Sequence, residues 1–364
     1  MQIKTITCHE VYNHGASLQE YALLRFLNDA GHDAQVIHYK PPYLSQHFNL
    51  KGISNPKFNL PVVKQLYLLA KLPGRLKALT RKMAFDEFHR KYIPTDPVLY
   101  TSINELKAQI PEADAFICGS DQIWNSFFQN GKDPAFYLNF VPEDKKKISY
   151  AASFAIDELE EEVKTLVHEN VSRLDAVGVR ETSGVRILED LGIGTAVQVL
   201  DPVFLLDKEH WISEYVKPVN ENYIFVYDFD SNPLIKKLAL QLKKDNGYQI
   251  YTVNQNIDYA DKNYWLDGPE KFLSLVFHSQ YNITNSFHAV AFSLIFEKQM
   301  AVVNRGEAIN TRMRDLLSLF GLQKRLITSK EDFDSLSTID YAEVIGNKNF
   351  HIRRSKEFLL QSLR

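Results

Sequence analysis

The strongest constraint on this sequence is a strand-then-helix alternation that runs along the chain and then restarts. Short apolar stretches such as "IKTITCHEV" precede longer ones such as "LQEYALLRFLNDAGH", whose apolar residues recur at the helical period. Strands that alternate with helices favour parallel sheets, because each parallel strand needs a crossover connection. The alternation restarts at "NYIFVYDF", after a polar, proline-containing stretch at residues 207–222. The sequence therefore predicts the α/β class, with two Rossmann-like domains that face each other across a cleft.

Length and composition fit that architecture. The chain has 364 residues, of which 45% are hydrophobic, and this is enough for a sizeable core. We expect one domain over residues 1–207 and a second over residues 208–340. The remaining residues, 341–364, are expected to form a helical segment that packs back on the first domain.

Several classes of partner and site are not expected. The net charge of −3 creates no global field that would attract nucleic acid. The two cysteines, Cys8 and Cys118, provide no disulfide framework, and no Cys/His pair has the spacing of a zinc site, so we expect no metal. The N-terminal stretch lacks the pattern of a signal peptide, and no run approaches the ~20 apolar residues that span a bilayer. These features predict a cytoplasmic protein.

Ligands of open parallel sheets bind at loops that follow the carboxyl ends of strands, and three such loops carry polar residues. The first loop is "YNHGASLQ". It places Asn13, His14 and Gly15 where free helix N–H groups would face a ligand, and Gly15 permits close approach of the backbone. Small polar turns are common, so an ordinary loop is the alternative interpretation.

The second loop, "GSDQIW", follows an apolar strand that ends at Cys118. Gly119 allows a tight bend, after which Ser120 and Asp121 project from the strand end. A carboxylate in this place can orient or deprotonate a hydroxyl. The alternative is that Ser120 or Asp121 simply caps a helix.

The third loop, "TNSFHAV", leads from a short strand into a helix. Asn285 or Ser286 can cap that helix, whose positive end favours an anion. His288 would lie in the first helical turn, where the same positive end favours a neutral imidazole that can accept a proton. The alternative is a structural histidine near a helix cap.

Two arginines supply further candidates. Arg180 lies in "VGVRETS" and Arg312 in "NTRMRDLL". Each suits a carboxylate or a phosphate, because the guanidinium group can bind either one in a bidentate fork. A surface charge is the alternative for each.

Several stretches together resemble the polysaccharide pyruvyl transferase family. They occur in the family's order and cover most of residues 9–322. The matching segments are "YNHGASLQEYALLRFL", "ICGSDQIWN", "ISYAASFA", "VGVRETSGVRIL", "VLDPVFLL", "GPEKFLSLVFHSQYNITNSFHAVAFSLIFEKQMAVVN" and "NTRMRDLLSLFGL". The resemblance implies a fold like that of GT-B glycosyltransferases, with an acceptor side in residues 1–207 and a donor side in residues 208–340.

The resemblance also implies an activity. Members of the family transfer the pyruvyl unit of phosphoenolpyruvate to a sugar of a polysaccharide or of its lipid-linked precursor, and they release phosphate. The product is a pyruvate ketal across two hydroxyls, which places the protein in exopolysaccharide or capsule biosynthesis. Phosphoenolpyruvate is the donor substrate, and no cofactor is expected.

The family's Arg-x-His element is matched at its histidine, His288, whereas Ser286 stands where the arginine is often found. Arg180, Arg305 and Arg312 would then hold the phosphate and carboxylate of the donor. By the same resemblance, His288 suits acid–base catalysis or phosphate contact, and Asp121 suits hydroxyl activation. The other expected substrate-binding residues lie in the matching segments: Asn13, Gly15, Gln19, Ser120, Ser153, Asn285 and Ser286.

Two other functions stay open at this point. One is a nucleotide-sugar glycosyltransferase of the same fold, whose second domain would hold a diphosphate and a nucleobase. The other is a non-catalytic relative that binds glycan or another assembly enzyme, which the departure at Ser286 keeps open.

A basic stretch at residues 57–91 suggests a contact with a membrane. It carries nine Lys/Arg against Asp86 and Glu87, a net charge of +7, so the remainder of the chain carries −10. Apolar and basic residues are interleaved in it, as in helices that lie in the membrane interface, although Pro73 and Gly74 should interrupt the helix. We expect peripheral contact with an anionic inner membrane face, or else packing of the leucines on the first domain.

Overall fold

The computed structural model describes residues 1–44, 61–306 and 310–364, and in this part of the chain two parallel β-sheets form. The first sheet contains β1 (Gln2–Ile6), β2 (Asp33–Tyr39), β3 (Thr95–Tyr100), β4 (Ala115–Cys118), β5 (Lys146–Ala152), β6 (Ala176–Val179) and β7 (Val197–Gln198). The second sheet contains β8 (Tyr223–Tyr227), β9 (Gln249–Thr252), β10 (Lys262–Asn263), β11 (Tyr281–Thr284), β12 (Met300–Val303) and β13 (Leu326–Ile327).

Helices connect these strands. Those of the first half are α1 (His14–Asp29), α2 (Pro61–Tyr92), α3 (Ile103–Ala108), α4 (Glu161–Val171) and α5 (Thr182–Asp190). Helix α6 (Lys208–Tyr215) leads into the second half, which contains α7 (Pro233–Asn246), α8 (Pro269–His278), α9 (Phe287–Ile295), α10 (Thr311–Leu319), α11 (Lys330–Asp334) and α12 (Tyr341–Ser362). Among the described residues, no helix combines the length and apolar composition needed to cross a bilayer.

Both sheets have the strand order of a Rossmann fold. The orders are β3-β2-β1-β4-β5-β6-β7 and β10-β9-β8-β11-β12-β13. The strand order reverses between β1 and β4 in the first sheet and between β8 and β11 in the second, and such a reversal opens a crevice at the carboxyl ends of the strands. The fold class predicted from the sequence is therefore confirmed, and the three polar loops predicted to bind ligands follow β1, β4 and β11.

Strands that are buried on both faces are the ones that stand out as apolar runs in the sequence. All residues of β4 and β8, in the middle of their sheets, are buried, as expected for parallel strands covered on both faces. Strand β3 is not evident from the sequence pattern, because its stretch "TDPVLY" contains a proline and alternates between buried and more exposed positions. β3 lies at the sheet edge, where a proline is tolerated and the apolar signal is weak.

Residues 207–222, the predicted joint, lie between β7 of the first sheet and β8 of the second. Its first part forms α6, and Trp211 in this helix is fully buried. Trp211 donates its Nε1–H to the carbonyl of Val203 at 3.1 Å and meets Phe292 of α9 edge-on, with ring centroids 5.0 Å apart. A few large apolar side chains thus anchor a segment whose overall composition is polar.

Helix α12 contacts both halves of the molecule. The Leu200 N–H donates to Ser355 Oγ at 2.8 Å. A Cβ atom at Gly178 in β6 would lie 2.7 Å from a ring carbon of Phe358, so the glycine lets the helix approach the first sheet closely. Toward the second half, Lys348 Nζ donates to Glu297 at 3.4 Å.

Helix α2 runs through Pro73 and Gly74 without a break, although the sequence predicts an interruption there. A proline removes one hydrogen bond of the helical ladder and strains the preceding turn. The other turns of this 32-residue helix outweigh that cost, and its C-terminal half is packed into the core through Phe85 and Phe88.

Candidate active site

Loops from both sheets bring five charged or titratable residues together. In the first half, Asp121 follows β4, Arg180 follows β6 and Asp201 follows β7. In the second half, His288 and Arg312 lie in the first turns of α9 and α10. All five therefore lie beyond the carboxyl ends of strands, where open parallel sheets bind their ligands.

A network of short contacts connects these five side chains. Arg180 Nη1 donates to Asp201 Oδ2 at 2.6 Å, and Arg180 Nη2 lies 3.5 Å from Asp121 Oδ1. Arg312 Nη1 lies 3.7 Å from the same Asp121 oxygen. On the other side, His288 Nε2 lies 3.5 Å from Asp201 Oδ2. Each aspartate is thus shared by two partners.

Burial strengthens the electrostatics of this network. The side chains of Arg180 and Asp201 are 2% and 0% exposed. Burial alone would raise the pKa of Asp201, but His288 and Arg180 outweigh it and hold that pKa well below its ordinary value. Burial likewise opposes ionisation of Asp121, yet Arg180, His288 and Arg312 lower its pKa. Both aspartates are therefore charged at neutral pH.

Arg312 is less well compensated than Arg180. Burial, followed by repulsion from Arg180, lowers the pKa of Arg312 to about 9, and Asp121 offsets only part of this effect. The amide of Gln122, turned with its oxygen toward Arg312, accepts from Nη2 at 3.0 Å. The Nε atoms of both arginines are buried with no hydrogen-bond partner among the described residues. Because buried polar atoms nearly always have partners, these atoms indicate a place for an anion.

Phe287 provides an aromatic surface for both guanidinium groups. The Cζ atom of Arg180 lies 4.4 Å from the ring centroid, and that of Arg312 lies 5.7 Å from it. Contacts of this kind are worth about 0.5–1 kcal/mol when exposed and more when desolvated. Since Phe287 directly precedes His288, the helix end that carries the imidazole also presents a ring to both cations.

The N-terminus of α1 reaches this group from the first half. A Cβ atom at Gly15 would lie 1.9 Å from His288 Nδ1, so only glycine lets the backbone come this close to the imidazole. Asn13 caps α1 by accepting from Gly15 N at 2.9 Å, and Ser286 caps α9 by accepting from Ala289 N at 3.5 Å. Two positive helix ends therefore converge from the two sheets, which favours a bound anion.

Three of the predicted substrate-binding residues make their hydrogen bonds within the protein. Gln19 Oε1 accepts from Ser120 N at 3.1 Å, and Gln19 Nε2 donates to Thr7 Oγ1 at 3.2 Å. Ser120 Oγ donates to a backbone carbonyl at 2.8 Å. Ser153 Oγ donates to the carboxylate of Glu181. All three are buried and hold the loops of the cleft in place, and their contact with substrate stays a prediction.

Asn285 and Arg305 lie on the second-domain side of the cleft. The Asn285 amide donates to Asp228 at 2.9 Å and to Asp230 at 2.7 Å, so its side chain is directed into an acidic pair. Arg305 Nε donates to the Asn285 carbonyl at 3.0 Å, and its guanidinium group lies 3.7 Å from the centroid of Phe229. Arg305 is close enough for its charge to help lower the pKa of Arg312.

Sequence reasoning missed Asp201, Glu181 and Phe287. Asp201 was visible in the matching segment "VLDPVFLL" as an acidic residue after an apolar run, but the segment held no sign that it would meet Arg180. Glu181 is fully buried, and burial raises its pKa. Phe287 looked like an ordinary core residue beside His288. Each of these residues acquires its role through partners that are distant in the chain.

Comparisons with known proteins show the family and the fold of the chain. A family model described as polysaccharide pyruvyl transferase matches residues 13–307. The solved UDP-N-acetylglucosamine 2-epimerase from Rickettsia bellii is similar, with a TM-score of 0.52, 11% identity and coverage of 100% of this chain and 96% of that chain. A candidate UDP-N-acetylglucosamine 2-epimerase from Listeria monocytogenes gives a TM-score of 0.53 and 9% identity, covering 98% and 90%. At these identities the similarity shows the fold alone, and it agrees with the GT-B-like architecture. No curated protein matches the chain.

The two arginines should differ in their effect on stability. Arg180→Met removes the guanidinium group that donates to the buried Asp201 carboxylate at 2.6 Å, and we expect it to lower the free energy of unfolding by about 3–5 kcal/mol. Arg312→Met keeps the apolar stem and removes a charge that burial and Arg180 already oppose, so its cost should be about 1 kcal/mol or less. Urea unfolding at pH 7 measures both values.

The pH dependence of the free energy of unfolding provides the control for the comparison of these two variants. The lowered pKa of Asp201 contributes stability that is present above the ordinary carboxyl pKa of about 4 and is lost as the pH falls through the folded-state value. The deficit of Arg180→Met should therefore shrink below about pH 4, where protonation relieves the unpaired carboxylate. If both variants lost the same free energy of unfolding at pH 7, Arg180 would not be the more strongly compensated of the two arginines.

Proposed function

The chain belongs to the polysaccharide pyruvyl transferase family, a family of transferases, and from this premise we propose that phosphoenolpyruvate is its donor. The acceptor is a sugar of a polysaccharide or of its lipid-linked precursor, and the products are a pyruvate ketal and phosphate. The observation that carries the proposal is the convergence of Arg180, Arg312 and His288 with two helix N-termini in one cleft between the sheets.

The charges of the cleft suit a donor that carries both a phosphate and a carboxylate. Asp201 neutralises Arg180, whereas Arg180 and Arg312 share Asp121. Arg312 is the cation with the greater need of an anionic partner, and a guanidinium group can bind either anion in a bidentate fork. In this proposal Arg180 and Arg312 replace the arginine that the family often has at the position of Ser286.

The reaction requires an anion clamp, an acid and a base. A proton adds to the methylene carbon of phosphoenolpyruvate, which becomes the methyl group of the ketal, and a sugar hydroxyl oxygen attacks C2. A second hydroxyl then attacks C2 while the C2–O bond to phosphate breaks. Of the two hydroxyl protons, one balances the proton added to carbon and the other leaves with phosphate. Cationic side chains stabilise the departing phosphate electrostatically.

His288 is proposed as the acid–base residue. Its ring lies between Gly15 and Asp201, and the Asp201 carboxylate 3.5 Å from Nε2 orients it. A carboxylate beside an imidazole holds the ring in place and stabilises the charge it carries while it holds a proton. Proton transfer requires a fixed geometry, and the close approach of the Gly15 backbone also holds the imidazole of His288 in place.

Asp121 remains the predicted activator of an acceptor hydroxyl. Its carboxylate faces both guanidinium groups, and its pKa is lowered. A carboxylate of low pKa is a weak base, so its contribution is to accept a hydrogen bond from the hydroxyl and orient it.

A membrane contact through residues 57–91 remains a further part of the proposal, and the structure limits which residues can make it. Positions 57–60 and the side chains of Lys64, Lys71 and Arg75 lie outside the described residues. In the described part, Leu72, Leu76 and Met83 are exposed apolar side chains. They could enter the interface of an anionic bilayer beside basic neighbours.

Arg81 is not available for a membrane contact, although it belongs to the basic stretch. It is one of the nine basic residues of the stretch, but its guanidinium group donates to the carbonyls of Tyr12, Val253 and Trp265, which ties α2 to the second half. Lys82 is also engaged, because it pairs with Asp86.

We expect His288→Ala to lower kcat by at least about 10², the usual effect of losing an acid–base group. Gly15→Ala should also lower kcat, because its Cβ would displace the His288 ring. Phosphate release that depends on acceptor glycan measures both effects. Gly194→Ala is the matched control, since a Cβ there meets no atom within 4 Å. Near wild-type turnover by a folded His288→Ala variant would exclude this role.

Arg312→Ala should weaken phosphoenolpyruvate binding by about 10- to 150-fold, the equivalent of ~1.5–3 kcal/mol for a charge-assisted contact. Arg312→Lys should restore little of the affinity if the contact is a fork. Arg314→Ala is the matched control, because that guanidinium group binds Asp157 at 2.8 and 3.1 Å.

Titration calorimetry with phosphoenolpyruvate and with UDP separates this proposal from a nucleotide-sugar glycosyltransferase. The wild-type protein should bind the first ligand and not the second. Unchanged phosphoenolpyruvate affinity in Arg312→Ala, or binding of UDP alone, would count against the proposal.

Co-sedimentation with anionic vesicles tests the membrane contact. Binding should weaken with salt and fall by about 10² when Lys64, Lys71 and Arg75 become Gln, at up to ~1 kcal/mol for each charge. Glutamine at three partly exposed lysines elsewhere, Lys164, Lys236 and Lys243, is the control and should leave binding unchanged. Absence of binding at low salt would refute the contact.

A further inference from the structure

A second cluster of titratable side chains lies at the carboxyl end of β1, outside the network described above. His9 and Glu10 follow this strand, and His89 lies in the last turn of α2. One nitrogen or oxygen from each of these three residues lies within 4.8 Å of those of the other two. The cluster therefore has the size of a metal-binding site.

Each imidazole is oriented through one of its nitrogens by a residue of α1. His9 Nδ1 lies 2.6 Å from Glu20 Oε1, and His89 Nε2 lies 2.8 Å from Ser17 Oγ. Histidines that bind metals are nearly always oriented in this way, with the second ring nitrogen held by a carboxylate, a carbonyl or another polar group. Glu20 is itself buried, which leaves its carboxylate little freedom to move.

The other nitrogen of each ring lacks a hydrogen-bond partner in the described part of the chain. These atoms are His9 Nε2 and His89 Nδ1, and both are buried. The two residues are only 1% and 5% exposed. Unsatisfied buried polar atoms are rare in proteins and call for a partner, and here two of them belong to one stacked pair of rings with centroids 5.3 Å apart.

We propose that His9, Glu10 and His89 bind a divalent transition metal, with Zn²⁺ as the best match. Two imidazole nitrogens and one carboxylate oxygen form a known zinc ligand set, and a water or a substrate takes the fourth position. Imidazole ligands disfavour Mg²⁺ and Ca²⁺, which prefer oxygen. The separation of His9 Nε2 and Glu10 Oε1 is 3.8 Å, close to the roughly 3.4 Å between two ligands of a tetrahedral zinc ion.

The surrounding charges are compatible with this metal. Lys40 donates to the other oxygen of Glu10, Oε2, so it orients the carboxylate from the outer side. Glu20 adds a second negative charge behind His9. Two carboxylates and one ammonium group thus surround the site, and this balance favours a cation.

A metal here would join α2 to the loop between β1 and α1. That loop leads to Asn13 and Gly15, the end of α1 that faces His288. The metal would therefore fix the position of this helix end from outside the cleft. The proposal does not depend on the identity of the donor substrate.

Zinc titration of the full-length protein, after treatment with a chelator, tests the proposal. We expect one Zn²⁺ per chain, measured by competition with a chromophoric chelator, and a higher melting temperature with Zn²⁺ than without it. His9→Gln and His89→Gln should each remove this binding. Glu20→Gln, which leaves all three ligands in place, should weaken it by about 10- to 100-fold. His168→Gln, at an exposed histidine of α4, is the matched control and should bind like the wild type.

The result for the wild-type protein is decisive even if a variant does not fold. Absence of stoichiometric Zn²⁺ binding by the wild type would show that the cluster is an ion-pair network without metal, and it would overturn the proposal. Equal binding by the wild type and by folded His9→Gln and His89→Gln would place the metal elsewhere and overturn it as well. If Mg²⁺ competed for the site as well as Zn²⁺ does, the assigned set of two imidazole ligands and one carboxylate ligand would be contradicted.

Discussion

The buried contact between Arg180 and Asp201 is the interaction on which the rest of the cleft depends. It joins the ends of β6 and β7, and both side chains are almost fully removed from water. Removing either partner would leave an uncompensated buried charge, which is among the more costly defects in a protein interior. The same aspartate orients His288 from the second domain, and the same arginine lies over Phe287. One ion pair therefore links the first sheet to the helix end that supplies the histidine.

The cleft also depends on the contact between α1 and the second half. His14 shares a hydrogen bond with the hydroxyl of Tyr227 at 3.1 Å, and burial lowers its pKa well below the ordinary value, so the imidazole is neutral in this interface. One residue later, the absence of a side chain at Gly15 makes room for His288. The hydrogen bond of His14 and the absence of a Cβ at the neighbouring Gly15 thus set how closely the two halves approach. A change in that distance would move His288 relative to Arg180.

Much of this arrangement could be predicted from the sequence, because its signals are local. The alternation of strands and helices indicated both sheets, and the polar loops "GSDQIW" and "TNSFHAV" indicated where Asp121 and His288 would lie. The roles of individual polar residues were harder to predict. Gln19, Ser120, Ser153 and Asn285 all lie in the expected loops, yet their side chains bind other parts of the protein. A loop sequence shows that a side chain is polar, whereas its partner is decided by the surrounding structure.

The sequence by itself determined the α/β class, the two Rossmann-like units and the loops at the carboxyl ends of the strands, because periodicity and turn residues act over a few positions. Only the tertiary structure decided that Asp201 would meet Arg180, that Gly15 would meet His288 and that His9 would lie beside His89. These pairs are far apart in the chain, and no spacing rule connects them. Their contacts depend on strand order and on how two sheets and a long helix pack. The physical reason is that burial and charge compensation act between neighbours in space, and such neighbours exist only after the chain has folded.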